Sequence, residues 1–489
     1  MAQSRIKSLA GDTMIYGSFT IIGRFLTFLL TPLYTNYLTQ LEFGDITYIF
    51  SLIAIINVIF SFGMEPAFMR FFKPDDYEHN KKVFTLSYFS IIGLASIIIS
   101  ILLIFSDFFS AYITDLPDRN TIFLYSALIP LLDAMMMVPY ALLRMTRRAK
   151  RFAYTRFILI IIAVALNILF VVIFRFGAKG VLLAQIITNA IGVSLFIPEI
   201  LRYFSIKFDK ILFKEMFLFG LPTVPAGLSS ILLQVVDRPI LKNMVSVHDF
   251  ANYSFGLRLG ITMMLMVAVF EYAWKPFYLS RREDIDAKDL FAKVLTYFTV
   301  CAGFVFLFTV GFIDIIGQLP FIGGRFINPQ YTDGMSIIPI ILFAFYFNGV
   351  YANFAAGFHI EKKTKYLPIS IGIAAVSKIV LNFVLVPIFG YHGAAWASLL
   401  AYLIAAFSIY IFLQKIYPIK YDWINLIKLI ILTSILFYLI NLIPGDISIY
   451  LKLLLKLSII ILYFMGLFLI KIFSLEEIIK IKNIFKRNR

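Results

Sequence analysis

Apolar and polar positions alternate along this chain in long blocks, not in the short periods of a water-soluble fold. Apolar stretches near the ~20 residues that a helix needs to cross a bilayer recur at 13–37, 45–68, 83–105, 121–143, 157–174, 180–198, 215–237, 251–274, 290–312, 336–357, 366–388, 393–413, 425–443 and 449–470. They predict an all-α integral membrane protein with about fourteen transmembrane helices. The gaps between them are short. Even the longest, 313–335, is too small for a soluble domain of ordinary size.

The basic residues sit on every second gap. Arg70, Lys73, Lys81 and Lys82 fill the second, and Arg144, Arg147, Arg148, Lys150, Arg151 and Arg156 the fourth. Arg202, Lys207, Lys210 and Lys214 fill the sixth, while the gaps between hold only Arg119, then Arg175 and Lys179. The pattern runs on to a basic tail ending in Lys486, Arg487 and Arg489. Under the positive-inside rule both termini are cytoplasmic and the number of spans is even. A miscounted span would invert every later loop, so the sustained parity also checks the count.

Composition then narrows the class. A mean hydropathy of +0.89 with 61% hydrophobic residues excludes an ordinary soluble domain. The formal charge of +16 lies in short loops beside headgroups, which makes membrane lipids and not nucleic acid the expected partner. The single cysteine, Cys301, rules out a disulfide framework and a thiol-ligated metal site. His79, His248, His359 and His392 are isolated, so neither a metal site nor a catalytic triad is expected, and the chain does not read as an enzyme. Without a Walker A motif, no cofactor is expected and energy must come from an H+ or Na+ gradient, the membrane potential or the substrate gradient.

An internal repeat organises the spans. Pro32, Asn36, Thr39, Glu42, Phe43 and Gly44 recur in register as Pro239, Asn243, Ser246, Asp249, Phe250 and Ala251. Near the other end of each half, Leu166-Asn167 returns as Leu381-Asn382, and Gly177, Gly180 and Ala184 return as Gly390, Gly393 and Ala397. The echoes place spans 1–6 over spans 7–12 as two parallel six-helix repeats around a central cavity, a transporter plan. The expected units are a lobe over 1–214, a second lobe over 215–413, and two extra spans with a basic tail over 414–489.

Polar residues inside the spans mark candidate sites. Gly17, Thr20, Arg24, Thr27 and Thr31 form a stripe on one helical face. Ser254, Arg258 and Thr262 repeat that spacing, and Ser370, Lys378 and Asn382 lie close to one face. A charge at mid-bilayer costs roughly 2.5–3.5 kcal/mol on insertion scales unless it faces protein or water. Arg24, Arg258 and Lys378 are therefore the cations expected in one cavity, where an anionic substrate group would meet them. The alternative is pairing with an intramembrane acid, for which Asp133, Asp237, Glu65 and Glu271 are available. Glu65 and Glu271 correspond across the repeat, beside Arg70 and Lys275, as a salt-bridged gate, a surface pair or ion-coupling groups; Asp133 is a deeper coupling candidate. Pro222 and Pro225 in span 7 free backbone carbonyls and predict a bend, either a hinge at a moving interface or a static kink.

These residues carry a family resemblance. Gly11 through Gly17, Arg24, Pro32-Leu33-Tyr34, Glu42-Phe43-Gly44 and Phe62-Gly63-Met64-Glu65-Pro66-Ala67-Phe68-Met69-Arg70 resemble the polysaccharide-biosynthesis flippases of the O-antigen type. Their superfamily also holds the multidrug and toxic-compound extruders and the lipid II flippases. The resemblance implies two lobes around a V-shaped cavity, alternating access, and export of undecaprenyl-pyrophosphate-linked oligosaccharide across the bacterial inner membrane, beside the polysaccharide polymerase machinery. It also implies pyrophosphate binding by Arg24 and Arg258. The span-2 arginine of the lipid II flippases has no match before Arg70. The two extra helices resemble those that form a lipid groove in that branch, with Lys452 and Lys456 as an echo. A small-molecule extruder and a lipid II-type flippase are the rival readings; a membrane glycosyltransferase would want a large loop that the chain lacks.

Overall fold

The computed structural model describes Gly23, Leu26, residues 28–445 and residues 447–472. Most of the first predicted span, Arg24 included, lies outside them. Its described end is helix α1, 28–37. Then follow α2 (Gln40–Ser61), α3 (Met64–Phe71), α4 (Tyr77–Ile104), α5 (Ser106–Ile113), α6 (Arg119–Met145), α7 (Ala149–Asn167) and α8 (Gly177–Tyr203). The second half holds α9 (Lys210–Gly220), α10 (Val224–Val235), α11 (Asp237–Lys242), α12 (Val247–Leu259), α13 (Ile261–Arg281), α14 (Ala287–Gln318), α15 (Ile338–Ile360), α16 (Tyr366–Phe389) and α17 (Tyr391–Ile416). Two more helices, α18 (Trp423–Asn441) and α19 (Ile449–Leu469), complete the described chain. A small hairpin, β1 (Pro320–Phe321) with β2 (Gly324–Arg325), caps α14.

Among the described residues, 13 helical stretches are long and apolar enough to cross a membrane. They match predicted spans 2–14 one for one. Apolar side chains are exposed along them, such as Ile97 and Ile104 on α4 and Val376, Val380 and Phe383 on α16. Such a surface suits lipid, not water.

The repeat is visible in local geometry. Thr39 caps α2 by accepting from the Glu42 amide at 3.2 Å, and Glu42 accepts from the Thr39 amide at 2.9 Å, a capping box. Ser246 caps α12 in the same way, accepting from the Asp249 amide at 3.1 Å. Gly177 and Gly390, both at positive φ (59° and 56°), open α8 and α17. Asn167 and Asn382 each donate to the carbonyl four residues back, Ala163 at 2.8 Å and Lys378 at 2.7 Å.

The halves meet in two unlike seams. At the capped end, Phe43 of α2 packs edge-on against Tyr331 with centroids 5.3 Å apart, and Asn36 and Gln40 donate to the carbonyls of Arg325 (2.7 Å) and Gln330 (2.9 Å). Lys242 of α11 reaches across to Asp45 of α2 at 2.7 Å and to the Ile113 carbonyl at 2.6 Å. At the far end of α2, Gly63 (φ 83°) lets its backbone rest on that of Gly220, and the rings of Phe62 and Phe217 stand 6.2 Å apart. Leu212 and Met216 of α9 are buried with Phe60, Phe68 and Phe84 of the first half. Residue 214, the expected lobe boundary, falls inside that helix.

Candidate functional site

Where α2 faces α10, α11 and α12, a cavity of about 310 Å³ opens between the halves. Thr47, Phe50 and Ser51 of α2 form one wall; Arg238, Ser254 and Arg258 form the other, with Ile261, Met264 and Phe345 behind them. Arg258 is held by aromatic faces, its guanidinium carbon 4.9 Å from the Phe43 ring centre and 5.6 Å from that of Tyr34. Among the described residues its Nη2 makes one hydrogen-bond contact, long at 3.4 Å, to Thr47 Oγ1. Ser254 Oγ is buried with no hydrogen-bond partner among the described residues. No described carboxylate lines this cavity. The walls thus offer positive charge and unused hydrogen-bonding capacity, which is what an anion requires.

Of the three cations singled out from sequence, only Arg258 is seen in this cavity. Arg24 lies outside the described residues. Lys378 is set apart in the second lobe: its side chain is 2% exposed, and its Nζ lies 3.3 Å from Asp237 Oδ1 and donates to the Leu233 carbonyl at 2.9 Å. Tyr253 OH donates to the other oxygen of Asp237. The expectation that all three cations face one cavity therefore needs correction for Lys378, which has an acid of its own. In its place stands Arg238, which sequence reasoning passed over as a loop charge. The signal was available: the offset that aligns Pro32 with Pro239 aligns Thr31, on the span-1 stripe, with Arg238.

The carboxylates are dispersed. Glu65 pairs with Arg144 of α6 and not with the expected Arg70. Glu271, on α13, lies in electrostatic reach of Tyr351. Asp133 accepts from Asn57 of α2 at 3.0 Å and from Asn189 of α8 at 2.8 Å, tying three helices together through a carboxylate held by amides. Pro222 and Pro225 do interrupt their span. The helix ends at Gly220, passes through a 3-10 turn at Leu221–Thr223 and resumes at Val224. Thr223 and Ser229 hydroxyls donate to the carbonyls of Gly220 (2.6 Å) and Pro225 (2.8 Å), each the backbone oxygen three or four residues back, on either side of the break.

A second, larger cavity of about 460 Å³ lies between the second half and α18. Phe306, Phe343, Leu399, Leu429 and Phe437 make it largely apolar. Next to it α19 is tied to α14 by Lys456, whose Nζ meets both oxygens of Asp314 at 2.6 and 2.7 Å, with Lys452 at 3.7 Å. The two lysines noted in the sequence are thus engaged by one carboxylate.

A family model described as "Polysaccharide biosynthesis protein" matches residues 9–278, more than half of the chain. The chain belongs to this family. No curated protein matches it. Among solved structures it is similar to a lipid II flippase, MurJ, in an inward closed conformation: TM-score 0.70 at 17% identity, covering 92% of this chain and 98% of that one. It is also similar to an inward-facing multidrug-resistance MATE family transporter of the MOP superfamily, at TM-score 0.63 and 15% identity over 82% of this chain and 97% of that one. An outward-facing MATE structure gives 0.54 at 14% identity, over 84% and 94%. This member of the polysaccharide biosynthesis family therefore has the fold of a lipid II flippase and of MATE transporters, with 13 helical stretches among its described residues long and apolar enough to cross a membrane.

Proposed function

We propose that this protein moves undecaprenyl-pyrophosphate-linked oligosaccharide from the cytoplasmic to the outer leaflet of a bacterial inner membrane by alternating access, with both termini cytoplasmic. The observation that carries this reading is Arg258, inside a candidate span and in a cavity between the halves whose walls hold no described carboxylate. An arginine in such a place costs roughly 2.5–3.5 kcal/mol, a cost that a diphosphate ester offsets through charge-assisted, forked hydrogen bonds. Arg24, on the stripe of span 1, is the proposed partner from the opposite lobe. The apolar cavity beside α18 suits a polyprenyl tail. Span 7 bends at Pro222 and Pro225 as the lobes rock, and Asp133 is the proposed site at which H+ or Na+ is coupled to that motion, with Glu65 and Glu271 as gating groups.

The test is reconstitution into proteoliposomes carrying undecaprenyl-pyrophosphate-linked oligosaccharide. Wild type is expected to move the lipid across the bilayer, and Arg24→Ala, inserted and folded, to fail. If wild type moves no such lipid with any of several glycans yet exports a cationic dye, the flippase reading gives way to the extruder.

A further inference from the structure

Asp237 and Arg238 are neighbours in sequence, and a carboxylate next to a guanidinium would ordinarily neutralise it. The structure keeps them out of ion-pair contact, although they stay within electrostatic reach of each other. They open α11, where consecutive side chains point about 100° apart around the helix. Asp237 turns into the second lobe, fully buried, where Lys378 and the Tyr253 hydroxyl meet its two oxygens. Lys378 is itself anchored from behind by the Leu233 carbonyl. Arg238 turns the other way and lines the cavity with Arg258. Among the described residues its side chain donates one hydrogen bond, to the Gln234 carbonyl of the preceding helical turn at 3.3 Å, and no described carboxylate forms an ion pair with it. Without Lys378 and Tyr253, the Asp237 carboxylate would be a buried, unpaired charge whose nearest cation is Arg238.

We propose that Arg238 is the second cation of the anion site, paired with Arg258, and that Lys378 is a positioning residue that keeps the Asp237 carboxylate from neutralising it. The inference rests on the headgroup reading above and deepens it. Two guanidiniums, from α11 and α12 on one wall of the cavity, suit two linked phosphates better than one. The site should therefore select a diphosphate ester over a monophosphate ester. A lysine that bound the substrate directly could not be removed together with Asp237; a lysine that only balances Asp237 can. Exchanging a buried ion pair for neutral side chains of similar size is commonly tolerated, whereas removing one partner is not.

The experiment uses the full chain in lipid nanodiscs, with geranylgeranyl diphosphate and geranylgeranyl monophosphate as probes and thermal unfolding as the check on folding. Wild type is expected to bind the diphosphate about tenfold more tightly or better, the scale of one added charge-assisted contact. Arg238→Gln should bring the two affinities together while monophosphate binding persists, and Arg238→Lys should recover part of the preference. Lys378→Met should also abolish the preference, and Asp237→Asn combined with Lys378→Met should restore it. A merely structural role for Lys378 would lower stability without moving that ratio. The proposal is overturned if folded Arg238→Gln keeps the full preference, or if the folded double variant shows no more preference than Lys378→Met alone. Should the double variant not fold, Arg238→Gln, on the cavity wall, decides by itself. Wild type that binds neither lipid overturns the headgroup reading as well; loss of binding in Arg258→Gln but not in Arg238→Gln overturns only this inference.

Discussion

Arg238 and Lys242 stand one turn apart on α11, and the protein treats them in opposite ways. Lys242 crosses the capped seam to Asp45, a contact in which the side chains are 11% and 2% exposed. Its Nζ also takes the Ile113 carbonyl, while Thr114 Oγ1 donates to the remaining Asp45 oxygen at 2.5 Å. Arg238 points into the cavity beside Arg258, where no described acid answers it. The difference separates two uses of charge in an apolar medium. A compensated charge fixes one arrangement of helices. An uncompensated one carries a desolvation cost that only a ligand or water relieves.

The comparison breaks most severely at Arg258. Arg258→Ala is expected to lower lipid transport by about a hundredfold or more, the loss of a forked charge-assisted contact, with thermal stability unchanged or raised because a buried charge has gone. Transport assays paired with unfolding curves check both halves of that statement. Next comes the seam. Lys242→Met leaves Asp45 buried and unpaired, which costs roughly 3–5 kcal/mol in the state where the capped end is closed. A cysteine placed at Gln40 should then be labelled by a membrane-impermeant thiol reagent far faster than in a Gln40→Cys control that keeps Lys242. Unchanged labelling would remove Lys242 from the seam's closure.

Asp133 sharpens the contrast from the other lobe, where amides and not a cation hold the carboxylate. Asp133→Asn should fold and still move lipid down its own gradient, yet lose the acceleration produced by an imposed H+ or Na+ gradient. Transport that still responds fully to the gradient would exclude Asp133 from coupling. The smallest effect is expected at span 7. Pro225 sits in the first turn of α10, where a backbone N–H has little to bond within the helix, so Pro225→Ala should change stability by about 1 kcal/mol or less, with slower transport as the signature of a hinge. Unaltered transport would make the bend a static one.

Spans 2–14 were legible because each is an apolar block of bilayer length. The repeat was legible because the residues that carry it do local work: Thr39 with Glu42 and Ser246 with Asp249 cap helices, and Gly177 and Gly390 take positive φ. Partner choice was not legible. Glu65 lies close in sequence to Arg70 but pairs with Arg144, 79 positions away. Lys378 was read as a cavity cation because helical spacing shows a face but not what faces it; the acid that meets it comes from α11, whose orientation follows from the break before Asp237. Arg238 was hidden by the same break, which made the end of a span look like the start of a loop.

The most direct test of the account compares transport per folded molecule for Arg258→Ala and for Lys378→Met combined with Asp237→Asn, in proteoliposomes bearing undecaprenyl-pyrophosphate-linked oligosaccharide. The account predicts that the first variant is inactive and the second close to wild type. An active Arg258→Ala, or a folded and inactive double variant, would contradict the division between charges that hold the lobes and charges left for the substrate.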